Sequence, residues 1–69
     1  MEIKWEGNPV ITVKSGENCT VISADRDGLI SLSRIFASLA DEAPGAHVHL
    51  DSFNSLEDGS AELIIEKTE

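Results

Sequence analysis

The chain has 69 residues and carries thirteen acidic side chains against five Lys and Arg, a formal net charge of −8. This length predicts one domain, residues 1–69, and the negative charge disfavours nucleic acid and anionic membranes as partners. A single cysteine, Cys19, excludes an internal disulfide, so a domain this small needs a core, a metal or a partner to stabilise it.

The first third of the chain predicts a meander of three strands, at residues 2–6, 10–14 and 19–24. Ile3 and Trp5 alternate with charged residues, which is typical of a half-buried strand. Gly7 supplies a turn signal before the second strand, and Gly16 supplies one before the third. Cys19 is interpreted as a small buried hydrophobe.

The amino-terminal alternation lacks the apolar segment of a signal peptide, and no apolar run has the length of a membrane span. The sequence therefore predicts a cytoplasmic protein.

A helix is predicted over residues 27–42, capped by Asp25 or Asp27 and stopped by Pro44. Gly28 is either a turn residue or a point of close approach to a neighbouring element. The apolar stripe of this helix is predicted to contain Leu29, Leu32, Ile35, Phe36, Leu39 and Ala40. Ile30 and Ala37 fall outside that stripe and widen the apolar surface, which favours association with a partner or with a second copy.

Two more strands are predicted at residues 46–51 and 61–67, separated by a loop at 52–60. The resulting order is β-β-β-α-β-β, an α+β fold with one helix packed on one face of a small, mostly antiparallel sheet. A right-handed crossover would place the third and fourth strands parallel. The predicted core joins strand residues to four residues of the helix stripe. The strand residues are Ile3, Trp5, Val48, Leu50, Leu63 and Ile65, and the helix residues are Leu29, Leu32, Phe36 and Leu39.

The most suggestive local pattern is His47-Val48-His49-Leu50-Asp51. On a strand the side chains of His47, His49 and Asp51 point to one side, where they would be weak candidates for metal ligands. The alternative is that the histidines face solvent or a subunit contact, together with Ile64. Serines nearby lack the sequence context of a nucleophile, so neither catalysis nor a cofactor is expected.

The loop after this strand is acidic and rich in oxygen ligands. Its polar members are Asp51, Asn54, Glu57 and Asp58. Their spacing does not match a calcium-binding loop, which favours a solvated loop or an acidic contact surface for a basic protein.

Residues Gly28 to Glu66 resemble the immunity protein 32 family of bacterial polymorphic toxin systems. The resemblance rests on Gly28-Leu29, Leu32, Leu39-Ala40, the His47-Val48-His49-Leu50-Asp51 strand, Leu56-Glu57, Gly59-Ser60 and Glu62-Leu63-Ile64-Ile65. It implies an α+β fold and neutralisation, by tight stoichiometric binding, of a toxin encoded beside the immunity gene. The resemblance carries no catalytic residue over to this chain.

The leading interpretation is an acidic, non-enzymatic immunity protein whose cognate toxin is basic. Partner contacts are expected at His47, His49, Asp51, Asn54, Glu57, Asp58, Ile64 and Ile30. The alternatives are a small metal- or ligand-binding domain built on the histidine strand, or a homo-oligomeric accessory domain such as a dimer.

Overall fold

The computed structural model describes residues 1–69 as one helix and two β-hairpins. In chain order the elements are β1 (Ile11–Ser15), β2 (Thr20–Ala24), α1 (Arg26–Ala40), β3 (His47–Leu50) and β4 (Leu63–Glu66). Antiparallel pairs β1–β2 and β3–β4 form two separate two-stranded sheets. The order β-β-α-β-β confirms the predicted α+β class.

Backbone hydrogen bonds join the two hairpins along the free edge of β1. The carbonyl of Ile11 accepts from the N–H of Glu57 at 2.9 Å, and the carbonyl of Val13 accepts from Ala61 at 2.9 Å. The N–H of Val13 donates to the Ser60 hydroxyl at 3.2 Å. The segment that leads into β4 therefore lies beside β1, opposite β2.

Both ends of α1 are capped by side chains. The Asp25 carboxylate accepts from the N–H of Gly28 at 2.7 Å, which satisfies one of the free donors of the first turn. No basic residue lies in the last turn of the helix. Lys67 instead reaches across from the end of β4 and donates to the carbonyls of Ala40 and Glu42, both at 2.7 Å.

The core lies between α1 and the inner faces of both hairpins. Its buried apolar residues are Ile11, Val13, Leu32, Ile35, Leu39, Val48, Leu50 and Leu56. This list draws on β1, α1, β3 and the loop after β3, whereas Leu63 and Ile65 of β4 pack against it partly buried, so neither hairpin encloses a core alone.

The helix packs on a face different from the predicted one. Leu29 and Phe36 were expected in the core but are exposed, whereas Gly28 and Ser31 are buried beside Leu32. The reason is steric, because the two smallest side chains of this arc let the helix backbone approach the β1–β2 hairpin closely. A Cβ atom on Gly28 would lie 2.8 Å from a backbone carbonyl oxygen of the segment before β1. Close approach is therefore the correct interpretation of this glycine.

The predicted strand at residues 2–6 is absent. Its backbone binds the helix rather than a sheet: the N–H of Glu6 donates to the Ser31 hydroxyl at 2.8 Å, and the Glu6 carboxylate pairs with Arg34 at 3.0 Å. Trp5 is consequently exposed rather than buried, and only Ile3 packs against the core.

Two further expectations are wrong. The predicted parallel pairing of the strands that flank the helix does not occur, because β2 and β3 belong to different sheets. Cys19 is exposed, not buried, because it lies in the turn that precedes β2.

Candidate partner-binding surface

The outer face of the β3–β4 hairpin displays both histidines of the chain. In the strand register His47 is opposite Glu66, and His49 is opposite Ile64. Side chains of paired residues lie on the same face of an antiparallel sheet, so these four groups share the side away from α1. Together with Glu62 they form what we call the outer hairpin face.

The two imidazoles are neighbours with different hydrogen-bond partners. Their ring centroids are 5.0 Å apart, with an edge-to-face angle of 72°. The Nδ1 of His47 lies 3.1 Å from the carbonyl oxygen of Gly45, and the Nδ1 of His49 lies 3.3 Å from a Glu62 carboxylate oxygen. Both Nδ1 atoms are therefore engaged within the chain.

Asp51 is directed into a turn rather than toward the histidines. Its carboxylate accepts from the N–H groups of Phe53 at 2.9 Å and Asn54 at 3.1 Å. The Asn54 side chain accepts from the N–H of Asp51 at 3.1 Å and donates to the carbonyl of His49 at 3.3 Å. Asp51 and Asn54 thus shape the loop after β3.

The structure contains no group of three or more His, Cys, Asp or Glu side chains arranged to hold a metal ion. Asp51, the third candidate ligand on the histidine strand, is held in the turn and does not join the two imidazoles.

Phe53 is the most exposed large apolar side chain, at 96 % of its full accessibility. The turn built by Asp51 holds its backbone, and Leu56, three residues later, anchors the loop in the core. Sequence reasoning missed this residue, because the only available signal is a lone aromatic among polar loop residues. Aromatic residues are enriched in the cores of protein–protein interfaces, which makes Phe53 a candidate contact residue.

Negative charge is concentrated at this end of the chain. Residues 41–69 contain eight acidic side chains and one basic side chain, whereas residues 1–40 contain five acidic and four basic ones. The single cation, Lys67, is engaged with helix carbonyls. Glu57 and Asp58 are exposed in the loop beside Phe53. We call residues 51–58 the acidic loop.

Ile30 does not join the other predicted contact residues. It lies half-buried on α1, which packs against the inner side of the β3–β4 hairpin. The structure thus separates Ile30 from the outer hairpin face, on which Ile64 is exposed.

The cleft between α1 and β4 is small. It has a volume of about 190 Å³ and is lined by Phe36, Leu39, Ala40, Ile65, Glu66 and Lys67. Small-molecule sites usually enclose about 300–1,000 Å³. The cleft is therefore an apolar groove rather than an enclosed substrate pocket.

No helix in the structure combines the length and the hydrophobicity that crossing a membrane requires. Comparison with curated proteins and with solved structures gives no match. The family model described as Immunity protein 32 matches residues 20–68, which span β2 to the residues after β4 and include the outer hairpin face and the acidic loop. Because this match covers more than two thirds of the sequence, the chain belongs to the immunity protein 32 family.

Proposed function

We propose that this chain is an immunity protein that binds its cognate bacterial toxin in the cytoplasm and inhibits it stoichiometrically. Membership of the immunity protein 32 family carries this proposal. Inhibition by binding requires no catalytic group and no cofactor. It requires a surface whose affinity for the toxin is high enough for the complex to form at the concentrations of the two proteins in the cell.

The outer hairpin face and the adjacent acidic loop form that surface. His47, His49 and Ile64 supply a partly apolar, partly hydrogen-bonding centre, and Glu57 and Asp58 supply charge at its edge. Asp51 and Asn54 act by holding the loop in shape. Ile30, on the helix, belongs to a separate flank.

The charge of this surface indicates a basic toxin. An excess of seven negative charges in residues 41–69 produces a field that attracts a cationic partner and repels anionic ones. Such steering raises the rate of encounter, which suits an inhibitor that must reach the toxin before the toxin reaches its target.

Phe53 acts as the anchor of the contact. Because its ring is almost fully exposed, transfer into an apolar pocket of the toxin removes nearly all of its surface from water. The ring needs little reorganisation, since the hydrogen bond from its N–H to Asp51 already orders the turn.

Co-expression with the protein encoded by the neighbouring gene tests this function. Bacteria that express the neighbouring gene alone are expected to stop growing, and co-expression of this chain is expected to restore growth. The purified proteins should form a complex of one-to-one stoichiometry, measured by light scattering.

A variant with Glu57→Lys and Asp58→Lys should protect less, while Glu2→Lys with Glu17→Lys, an equal charge change outside the surface, should protect normally. Equal survival with and without this chain would contradict the proposed function. Equal protection by both double variants would leave toxin neutralisation standing and remove the acidic loop from the contact.

A further inference from the structure

The outer strand of the first hairpin, β2, lacks the features that usually protect a free sheet edge. Its sequence, Thr20–Ala24, contains no charged residue and no proline. Val21 is 50 % exposed and Ile22 is 39 % exposed. Soluble proteins usually block such an edge with lysine, proline, a bulge or a covering segment, because an unprotected edge pairs with other strands.

The backbone groups of β2 that face this edge have no partner within the chain. Ile22 is opposite Val13, whose own N–H and C=O bond Ser60 and Ala61 on the far side of β1. In an antiparallel ladder, residues of such a pair direct their N–H and C=O groups away from each other. Ile22 therefore presents both groups to the open edge.

Thr20 and Ala24 lie two residues either side of Ile22 and have the same orientation. No hydrogen bond of the chain involves their backbone groups. The open strand edges of the second hairpin differ, because Asn54 already donates to the carbonyl of His49 on β3, and β4 carries charged Glu66 and follows directly after Glu62.

We propose that β2 is a self-association edge, which pairs antiparallel with β2 of a second copy around a two-fold axis at Ile22. Ile22 would then be opposite its own counterpart, and Thr20 would be opposite Ala24 of the other copy. The β1–β2 hairpins of the two copies would then form one four-stranded sheet in the order β1-β2-β2-β1. This dimer goes beyond toxin binding and does not depend on it.

Charge indicates a second copy rather than a toxin as the occupant. Residues 10–24 contain one Lys and one Glu, so this hairpin has no net charge, whereas the whole chain carries −8. Two copies of an acidic protein can approach each other with least repulsion where charge is absent. A basic toxin is drawn instead to residues 41–69, which the dimer leaves uncovered.

Sedimentation of the full chain over a range of concentrations tests the dimer. Thr20→Pro removes an edge-facing N–H without removing a β1–β2 hydrogen bond. It is expected to raise the dimer dissociation constant at least about tenfold while the circular dichroism spectrum stays unchanged. Thr20→Ala, which keeps that N–H, should dimerise like the original chain.

Cysteine cross-linking then tests the register, in a Cys19→Ser background. Ile22→Cys places the paired Cα atoms about 5.5 Å apart, within the span of a disulfide. In Val21→Cys the two cysteines are not opposite each other but diagonal across the strand pair, about 7–8 Å apart. A disulfide does not close over that distance without backbone movement. We expect rapid oxidation to a covalent dimer for Ile22→Cys only.

A chain that remains monomeric up to about millimolar concentration would overturn the proposal, since that affinity is the weakest worth assigning to a specific contact. So would a dimer that Thr20→Pro leaves intact. Hydrogen exchange at the Ile22 amide gives a third test. If this amide is protected only when the neighbouring gene product is added, the proposal is also overturned, because the edge then binds the toxin and not a second copy.

Discussion

Gly28 lies where α1 comes closest to the β1–β2 hairpin. An added Cβ would be 2.8 Å from the carbonyl oxygen of Val10 and 2.9 Å from side-chain atoms of Ile11 and Ala24. Gly28→Ala is therefore expected to destabilise the fold by about 1–3 kcal/mol, even though alanine is the better helix former. Denaturant unfolding measures this free energy.

Gly16→Ala is the matched control, because a Cβ there meets only ordinary contacts at 3.6 Å or more. It is expected to change the free energy of unfolding by less than about 0.5 kcal/mol. Equal stabilities of the two variants would show that the helix can move away from the hairpin without cost.

The Asp25 carboxylate links the pH dependence of stability to the start of the helix. Hydrogen bonds from the backbone N–H groups of Val10 and Gly28 hold the pKa of this carboxyl below its ordinary value. A lowered folded-state pKa contributes stability at pH values above the ordinary aspartate pKa, and this contribution is lost as the pH falls through the folded-state pKa.

Asp25→Asn should therefore lower the free energy of unfolding near neutral pH, and the difference from the original chain should shrink in acid. Chemical denaturation at about pH 7 and about pH 2.5 measures both differences. Asp58→Asn serves as control, since the Asp58 side chain makes no hydrogen bond within the chain. A difference for Asp25→Asn that stays constant across this range would contradict the linkage.

At the scale of elements, the connection between β3 and β4 combines a buried anchor with an exposed tip. Leu56 is buried in the core, whereas Phe53 lies almost wholly in water. Leu56→Ala is expected to cost about 2–4 kcal/mol through lost burial and a residual cavity. That is most of the stability expected for a chain of this size, so a measurable unfolded fraction at room temperature is expected.

Phe53→Ala is expected to leave the free energy of unfolding within about 0.5 kcal/mol of the original, because the ring contacts little of the fold. Thermal melts followed by circular dichroism compare the two variants. A large loss of stability in Phe53→Ala would show that the ring packs on the domain and is not free for a partner.

The elements themselves were largely predictable from sequence. Hydrophobic periodicity and turn residues located the helix and four of the five predicted strands to within about three residues. The strand predicted at residues 2–6 does not form, because alternation describes a side-chain pattern and does not supply a partner strand. The Ser31 hydroxyl, which accepts from the Glu6 N–H, has no signature in the sequence.

The placement of the candidate contact residues on the fold was predictable in part, from the same alternation of side chains. Alternation alone placed His47, His49 and Ile64 on one outer face, as the register shows. The turn that Asp51 builds with Asn54 could not be predicted from the sequence, since it depends on hydrogen bonds between side chains and the loop backbone. Phe53 was missed because exposure of an aromatic side chain is a tertiary property.

For the whole molecule, the uneven charge and the exposed ring predict separable effects on toxin binding. Glu57→Lys with Asp58→Lys should reduce the association rate constant about tenfold at low salt and weaken its salt dependence. Phe53→Ala should instead raise the dissociation rate constant about 10- to 100-fold, as expected for a buried aromatic anchor. Surface plasmon resonance at several salt concentrations separates the two rate constants.

Phe36→Ala is the matched control for the ring, since Phe36 is also exposed but lies on the helix. It should leave both rate constants unchanged. If Phe36→Ala and Phe53→Ala change the association and dissociation rate constants equally, the contact is not centred on the acidic loop.

The bonds between β1 and the segment before β4 also set the order in which the chain can fold. Each hairpin closes over a short stretch of sequence, but the bond between Val13 and Ser60 joins residues 47 positions apart. Contacts of such separation form late, because the loss of chain entropy precedes the gain from burial. A ribosome must therefore release Ala61 before the core can close, so a nascent chain shorter than this has not yet completed its fold.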